Sequence, residues 1–98
     1  MATVKSNFGE LLRIDLHDLA LHQAKVLILE TLKKAINGTE SGLYIIHGFN
    51  SGDKIKTYIR GGALANSLRD RGIHAKITSF RGNPGTSGII LVDSDAGE

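Results

Sequence analysis

The sequence predicts a single α/β domain. Short apolar runs alternate with two longer stretches of helical periodicity, in the order strand–helix–strand–helix–strand–strand. Alternating units of this kind favour parallel pairing of the first two strands, joined by right-handed crossover connections. The length of 98 residues is close to the commonest size of one domain, so one modest core should hold the sheet and the helices together.

The first predicted strand covers residues 12–17. Its side chains alternate, so Ile14 and Leu16 point to one face of the sheet while Asp15 and His17 point to the other. Two residues of extended chain span about 7 Å. Asp15 and His17 are therefore close enough to influence each other's protonation or to share one phosphate.

Two helices are predicted by their apolar spacing. Residues 21–37 repeat apolar side chains at helical intervals, and Asn37-Gly38 is a typical C-terminal stop. Residues 54–71 form the second pattern, with Gly61-Gly62 in its middle. Because glycine weakens a helix interior, this helix should bend or divide there, or the pair should let another backbone approach.

Three further strands follow from composition and alternation. Residues 43–46 are continuously apolar, as in a central strand, and Leu32 and Ile46 are expected to be buried. Residues 73–81 alternate loosely and indicate a half-exposed strand. The stretch 82–88 is rich in Gly, with Asn and Pro, and is predicted to be a loop. Residues 89–92 should form the last strand, antiparallel to the one before.

The two ends of the chain lack these patterns. We expect a flexible N-terminal arm over residues 1–11, a folded domain over 12–93 and a flexible acidic tail over 94–98. The chain has no cysteine, which excludes disulfides and thiolate metal sites and is usual for a cytoplasmic protein. No apolar run approaches the length of a membrane span. A cytoplasmic monomer without membrane contact is expected.

Positive charge is concentrated in the second half of the chain. Residues 50–85 hold seven Lys and Arg side chains against two Asp, although the net charge of the whole chain is only +2. Such an excess favours a polyanionic partner, here nucleic acid, although solvated helix faces would give the same pattern. Tyr44, Tyr58 and Phe80 are too dispersed along the chain to indicate a base-stacking platform. The expected nucleic-acid contacts are Phe49, Lys54, Lys56, Arg60, Arg69 and Arg81.

His17 and His47 follow two neighbouring strands and are the candidate proton-transfer groups. Histidine titrates near neutral pH, so two of them beside one phosphodiester could act as acid and base. Asp15 could orient His17, raise its pKa or hold a divalent cation. The alternative is structural, with each histidine capping a strand end by bonding nearby backbone. No spacing indicates a closed zinc site.

The loop after the second apolar strand is a candidate phosphate site. Its backbone amides and the helix that follows could receive a phosphate, although a tight connection would also require glycine. The loop has neither the P-loop pattern nor the dinucleotide fingerprint. The candidate phosphate-binding residues are Gly48, Asn50, Ser51 and Gly52.

Two stretches resemble the signatures of the Smr (small MutS-related) domain family. Residues 14–19, Ile-Asp-Leu-His-Asp-Leu, are similar to the family's Leu-Asp-Leu-His-Gly-Leu motif. Residues 46–48, Ile-His-Gly, with Gly52 are similar to its His-Gly-x-Gly-x-Gly loop. The resemblance extends roughly over residues 13–93. Asp18 replaces a glycine of the first motif and Asn50 replaces the middle glycine of the second.

The resemblance implies a two-layer α/β sandwich, β-α-β-α-β-β, with a mixed four-stranded sheet in the order 1-2-4-3. It also implies an endonuclease that nicks DNA or cleaves RNA, in which Asp15 and His17 take part in the reaction. His47 would transfer a proton or contact phosphate. The alternative is a non-catalytic module that binds nucleic acid or the ribosome. The cofactor is left open, with Mg²⁺ or Mn²⁺ as the candidates.

Overall fold

Strands and helices alternate along the chain of this computed structural model, which describes residues 2–48, 54–80 and 82–92. The strands are β1 (Thr3–Ser6), β2 (Gly9–Asp15), β3 (Gly42–Ile46), β4 (Ala75–Phe80) and β5 (Asn83–Leu91). The helices are α1 (Leu21–Asn37), α2 (Lys54–Arg60) and α3 (Ala63–Asp70). The α/β class predicted from the sequence is confirmed.

The sheet is mixed and has five strands in the order β1-β2-β3-β5-β4. β2 and β3 are parallel, as predicted, and the other neighbours are antiparallel. The expected four-stranded sheet is wrong in detail because β1 adds a strand beside β2. The predicted arm over residues 1–11 is therefore wrong for residues 3–6 and 9–11, whose backbone pairs in the sheet. The predicted tail, 94–98, lies outside the described residues.

The predicted loop over residues 82–88 is wrong, because β5 begins at Asn83. Gly82 makes the tight turn with a φ of 78°. β4 and β5 then pair with a register shift, which leaves residues 84–86 as a bulge between the partners of Phe80 and Ser79. The glycine and proline in this stretch therefore serve a bulged strand rather than an open loop.

The second predicted helix divides into α2 and α3, one of the outcomes left open by the sequence. Gly62 lies between them with a φ of 99°, which favours glycine. At Gly61 a Cβ would lie 2.6 Å from the carbonyl oxygen of Thr57, so only glycine fits without a shift.

All three helices contribute to one hydrophobic core on one face of the sheet. Ile28 and Leu32 of α1, Ile59 of α2 and Leu64 of α3 are fully buried there. They pack against alternate strand residues, including fully buried Ile45 of β3. Ile46 is only half-buried, contrary to expectation, because it points to the other face. We call that other face the helix-free face. No helix in the described ranges is long and apolar enough to cross a membrane.

Candidate functional site

The parallel pairing of β2 and β3 brings two of the predicted site segments to one edge of the sheet. Asp15 pairs with Ile46, and the amide of Leu16 donates to the Ile46 carbonyl at 2.7 Å. The backbone of Gly48 then passes beside His17, with a φ of 76° at Gly48. A Cβ at Gly48 would lie 3.1 Å from the Cβ of His17. This close approach gives Gly48 a packing role at the edge.

Asp15 and His17 form a direct side-chain pair at this edge. Oδ1 of Asp15 contacts Nδ1 of the His17 ring and also accepts the His17 backbone N–H at 3.2 Å. The hydrogen bond from His17 lowers the pKa of Asp15, and the same bond together with nearby carboxylate charge raises the pKa of His17. The His17 side chain is 50% exposed, so the ring faces solvent.

Asp18 places a second carboxylate on the same imidazole. Its Oδ2 lies 2.9 Å from Nε2 of His17, so both ring nitrogens face acidic oxygens. The Asp18 side chain is 83% exposed. An exposed side chain moves between rotamers within picoseconds to nanoseconds. A rotamer change of Asp18 therefore makes Nε2 accessible to a ligand.

His47 lies inside the protein in a chain of hydrogen bonds. Its Nδ1–H donates to the Gly48 carbonyl at 3.0 Å, which leaves Nε2 to accept from the Ser87 hydroxyl at 2.9 Å. The Ser87 oxygen accepts in turn from Nε of Arg60 at 2.9 Å, and Nη2 of Arg60 donates to the Thr86 carbonyl at 2.6 Å. This arrangement, with one ring nitrogen donating and the other accepting, is that of a neutral imidazole, the form that burial favours.

This burial gives His47 a structural arrangement unlike that of His17. Only 2% of His47 is exposed, and burial lowers its pKa, with the cationic Arg60 and Lys56 adding to the effect. Nε2 links the end of β3 to Ser87 of β5 and, through Ser87, to Arg60 of α2, whereas Nδ1 bonds the carbonyl of the adjacent Gly48. His47 therefore exchanges a proton with a ligand only if one of these bonds breaks first.

A pocket of about 600 Å³ lies between the start of α1 and the start of α2. The residues that line it include both His17 and His47. Lys25 and Lys54 give it positive charge, and Nζ of Lys25 lies 4.9 Å from the centre of the Tyr58 ring. A pocket of this size and charge suits a phosphate group together with part of the sugar attached to it.

The structure gathers only some of the basic residues expected to contact nucleic acid. Lys54 lines the pocket beside His17, while Lys56 and Arg60 border a smaller depression of about 330 Å³ on α2. Arg69 lies in the last turn of α3, near the opposite edge of the sheet, where β4 begins. Five predicted contacts lie outside the described residues: Phe49, Asn50, Ser51, Gly52 and Arg81.

Sequence reasoning missed an aromatic pair. The rings of Tyr44 and Phe80, 36 positions apart in the chain, have centroids 4.9 Å apart on the helix-free face. Gly88 is the residue that could have indicated this contact. It lies on β5, between the strands of the two rings, and its lack of a side chain lets the rings meet. Sequence reasoning also missed Ser87, the fully buried partner of His47.

The described residues contain no group of three or more acidic or histidine side chains that could hold a metal ion. Comparisons with protein-family models, with curated proteins and with solved structures give no match to this chain.

The opposite pKa shifts of the two histidines predict how stability depends on pH. Because burial lowers the pKa of His47, the unfolded chain binds a proton that the folded chain resists, and this stability is lost as pH falls below about 6.5. His17 acts in the other direction, because its raised pKa favours the folded chain at low pH. In a His17→Gln variant, the free energy of unfolding in urea should therefore fall between about pH 7.5 and about pH 5.5.

The control for this prediction is the double variant His17→Gln/His47→Gln, measured over the same range. Its free energy of unfolding should be lower at every pH in this range. It should not decrease further as the pH falls, since neither histidine with a shifted pKa remains. An equal fall in the single and the double variant would contradict the neutral, buried state of His47.

Proposed function

We propose that this chain is a nucleic-acid-binding, Smr-like domain that cleaves phosphodiester bonds, with Asp15 and His17 as its acid–base pair. The observation that carries the proposal is the direct contact between these side chains at an exposed edge, beside a pocket that Lys25 and Lys54 make positive. A cytoplasmic monomer is part of the proposal.

The chemistry follows from which ring nitrogen each carboxylate holds. Asp15 fixes Nδ1 of His17, so Nε2 is the atom that can reach a substrate. The raised pKa favours the protonated ring, which suits proton donation to a leaving oxygen or a charge contact with a phosphoryl oxygen. Asp18 must rotate away from Nε2 before either step, and its exposure allows this.

The resemblance of residues 14–19 and 46–48 to the two Smr motifs supports the same assignment. It implies a reaction at the Asp-x-His segment, and that segment contains the charged pair described above. His47 fits a positioning role better than direct proton transfer, because its ring is buried with both nitrogens bonded.

A non-catalytic binding module is the second candidate, and one observation favours it. Asp18, which replaces a glycine of the Smr motif, holds the outer nitrogen of His17 at 2.9 Å. A carboxylate in this position repels a phosphate unless it moves or a cation lies between them. A domain of this kind would bind nucleic acid or the ribosome through the same pocket without cutting.

One assay separates the two candidates. The purified protein is incubated with supercoiled plasmid and with a folded RNA, each with and without Mg²⁺ or Mn²⁺. Nicked circles or defined RNA fragments support the nuclease, whereas binding without cleavage under every condition supports the module. The metal-free arm reports whether the Asp15–His17 pair acts unaided.

Binding should depend steeply on salt, with the basic residues around the pocket carrying the effect. Each phosphate that a cation neutralises contributes a slope of about 0.7–0.9 to the logarithm of affinity against the logarithm of salt concentration. The variant Lys25→Gln/Lys54→Gln should therefore reduce the slope by about 1.4–1.8 in a fluorescence anisotropy titration.

Arg69→Gln provides the matched control, because Arg69 lies near the opposite edge of the sheet. Its slope should equal that of the wild type. A wild-type affinity that stays flat from low to physiological salt would exclude nucleic acid as the partner.

A further inference from the structure

The helix-free face is not a plain polar surface. One row of paired residues crosses four strands on this face. Its members, in order across the sheet, are Arg13 of β2, Tyr44 of β3, Gly88 of β5 and Thr78 of β4. Arg13 is exposed, and Tyr44 and Thr78 are half-exposed. The guanidinium group of Arg13, the ring of Tyr44 and the hydroxyl group of Thr78 therefore lie in one row on a face that no described helix covers.

Two aromatic rings on this face are held in fixed positions. The rings of Tyr44 and Phe80 are 4.9 Å apart and tilted by 40°. The Phe80 ring lies over Gly88, where a Cβ would be only 2.9 Å from its Cζ. Nδ2 of Asn83 donates to the Tyr44 hydroxyl at 3.2 Å. Preorganised rings lose little conformational entropy when a flat ligand stacks on them.

A pocket of about 310 Å³ opens beside the rings, at the lower end of the usual size of small-ligand sites. We call it the aromatic pocket; it is lined by Val4, Lys5, Ser6, Asn7, Phe8, Tyr44, Phe80 and Asn83. A third ring, Phe8, is 45% exposed there. Three rings for stacking, two amides for hydrogen bonding and an ammonium group match the chemistry of a nucleobase and its phosphate.

The aromatic pocket and the Asp15–His17 pair lie on one continuous surface. Asp15 pairs with Ile46, and Tyr44 lies two residues earlier on the same face of β3, which is about 7 Å along the strand. Asp15 therefore lies about two stacked nucleotides of one strand beyond the level of Tyr44, and His17 lies two residues further on. Arg13, directly beside Tyr44 and two residues before Asp15, adds positive charge between the two sites.

We propose that the aromatic pocket binds an unpaired base of a single-stranded nucleic acid, so that the backbone of the same strand passes His17. This rests on the proposed function and names its substrate class. A base within a duplex is stacked and paired, so its faces are closed to Tyr44 and Phe80. The domain therefore prefers single-stranded segments, loops or flipped bases over continuous duplex.

The first test uses fluorescein-labelled oligonucleotides of about 15 nucleotides in three arms: oligo-dT, oligo-rU and a mixed-sequence DNA duplex. The wild type should bind the single strands more tightly than the duplex. Tyr44→Leu should weaken single-strand binding by about 5- to 100-fold, since stacking on one ring carries an effect of that size. Tyr44→Phe is the matched control and should change affinity by less than about 3-fold, because it keeps the ring.

The second measurement leaves the ring in place and so does not depend on how the leucine variant folds. The chain has two tyrosines and no tryptophan, so Tyr58→Phe makes Tyr44 the sole reporter of tyrosine fluorescence. Stacking of a base on Tyr44 should quench this emission in step with the anisotropy change. The duplex should leave the emission unchanged.

The outcomes separate this inference from the proposed function. Equal affinity for single strands and duplex, with no quenching of Tyr44, would overturn the aromatic pocket and leave a phosphate-binding domain. Absence of binding in all three arms would overturn both.

Discussion

Replacement of His17 by alanine is expected to abolish phosphodiester cleavage. Loss of a positioned proton-transfer group lowers a rate by about 10²- to 10⁴-fold. The fold should persist, because the side chain is half-exposed at the edge of the sheet and Leu16, its neighbour, supplies the buried contact. Binding should also persist, since the proposed phosphate contacts are made by cations elsewhere on the surface. Initial rates on plasmid or RNA, with anisotropy for binding, measure both.

Asp15→Asn is the companion variant. It nearly keeps the shape of the side chain but removes the charged hydrogen-bond partner that raises the pKa of His17, so the alkaline limb of the pH–rate profile, where the protonated ring is lost, should move to lower pH. Equal cleavage by wild type and His17→Ala would show that the cutting residues lie elsewhere or that the activity is a contaminant. Unfolding of His17→Ala, detected by circular dichroism, would make His17 a structural cap.

Replacement of Ile45 by alanine is expected to lower the free energy of unfolding by about 2–5 kcal/mol. Ile45 is fully buried in the middle of β3, against the helices, so the change removes apolar contacts and leaves a cavity. Urea titration followed by circular dichroism measures the loss.

Ile46→Ala is the matched control, one residue further along the same strand. Its half-buried side chain points to the helix-free face, so the loss should be clearly smaller. Because side chains alternate along a strand, a register displaced by one residue would exchange the two results. Larger damage from Ile46→Ala would therefore contradict the observed pairing of β3.

The sequence predicts those elements whose side chains alone decide the structure. α1 matches the prediction at both ends, because its seventeen residues repeat an apolar stripe and end at Asn37-Gly38. β1 is not predictable from the sequence. Thr-Val-Lys-Ser shows no clear alternation of apolar and polar residues, and the strand forms by backbone pairing with β2. The start of β5 is not predictable either, because its glycine and proline also occur in loops.

The candidate site also has some features that the sequence predicts and others that it does not. The contact between Asp15 and His17 follows from the two-residue period of a strand and is predictable from the sequence. The state of His47 is not, because it depends on Ser87, 40 positions away, and on Arg60 beyond it. Tyr44 and Phe80 likewise meet only across a third strand, through Gly88.

The position of β1 also bears on edge-to-edge association between sheets of different molecules. β2 is a long strand with fully buried Leu11 and nearly buried Leu12, and β1 occupies its outer side. On this side the edge of the sheet is thus the four-residue β1, with a lysine at Lys5, rather than β2, while β4 forms the other edge. Short, charged borders resist edge-to-edge association between molecules. A chain that began at Gly9 would present the apolar β2 as a template for aggregation.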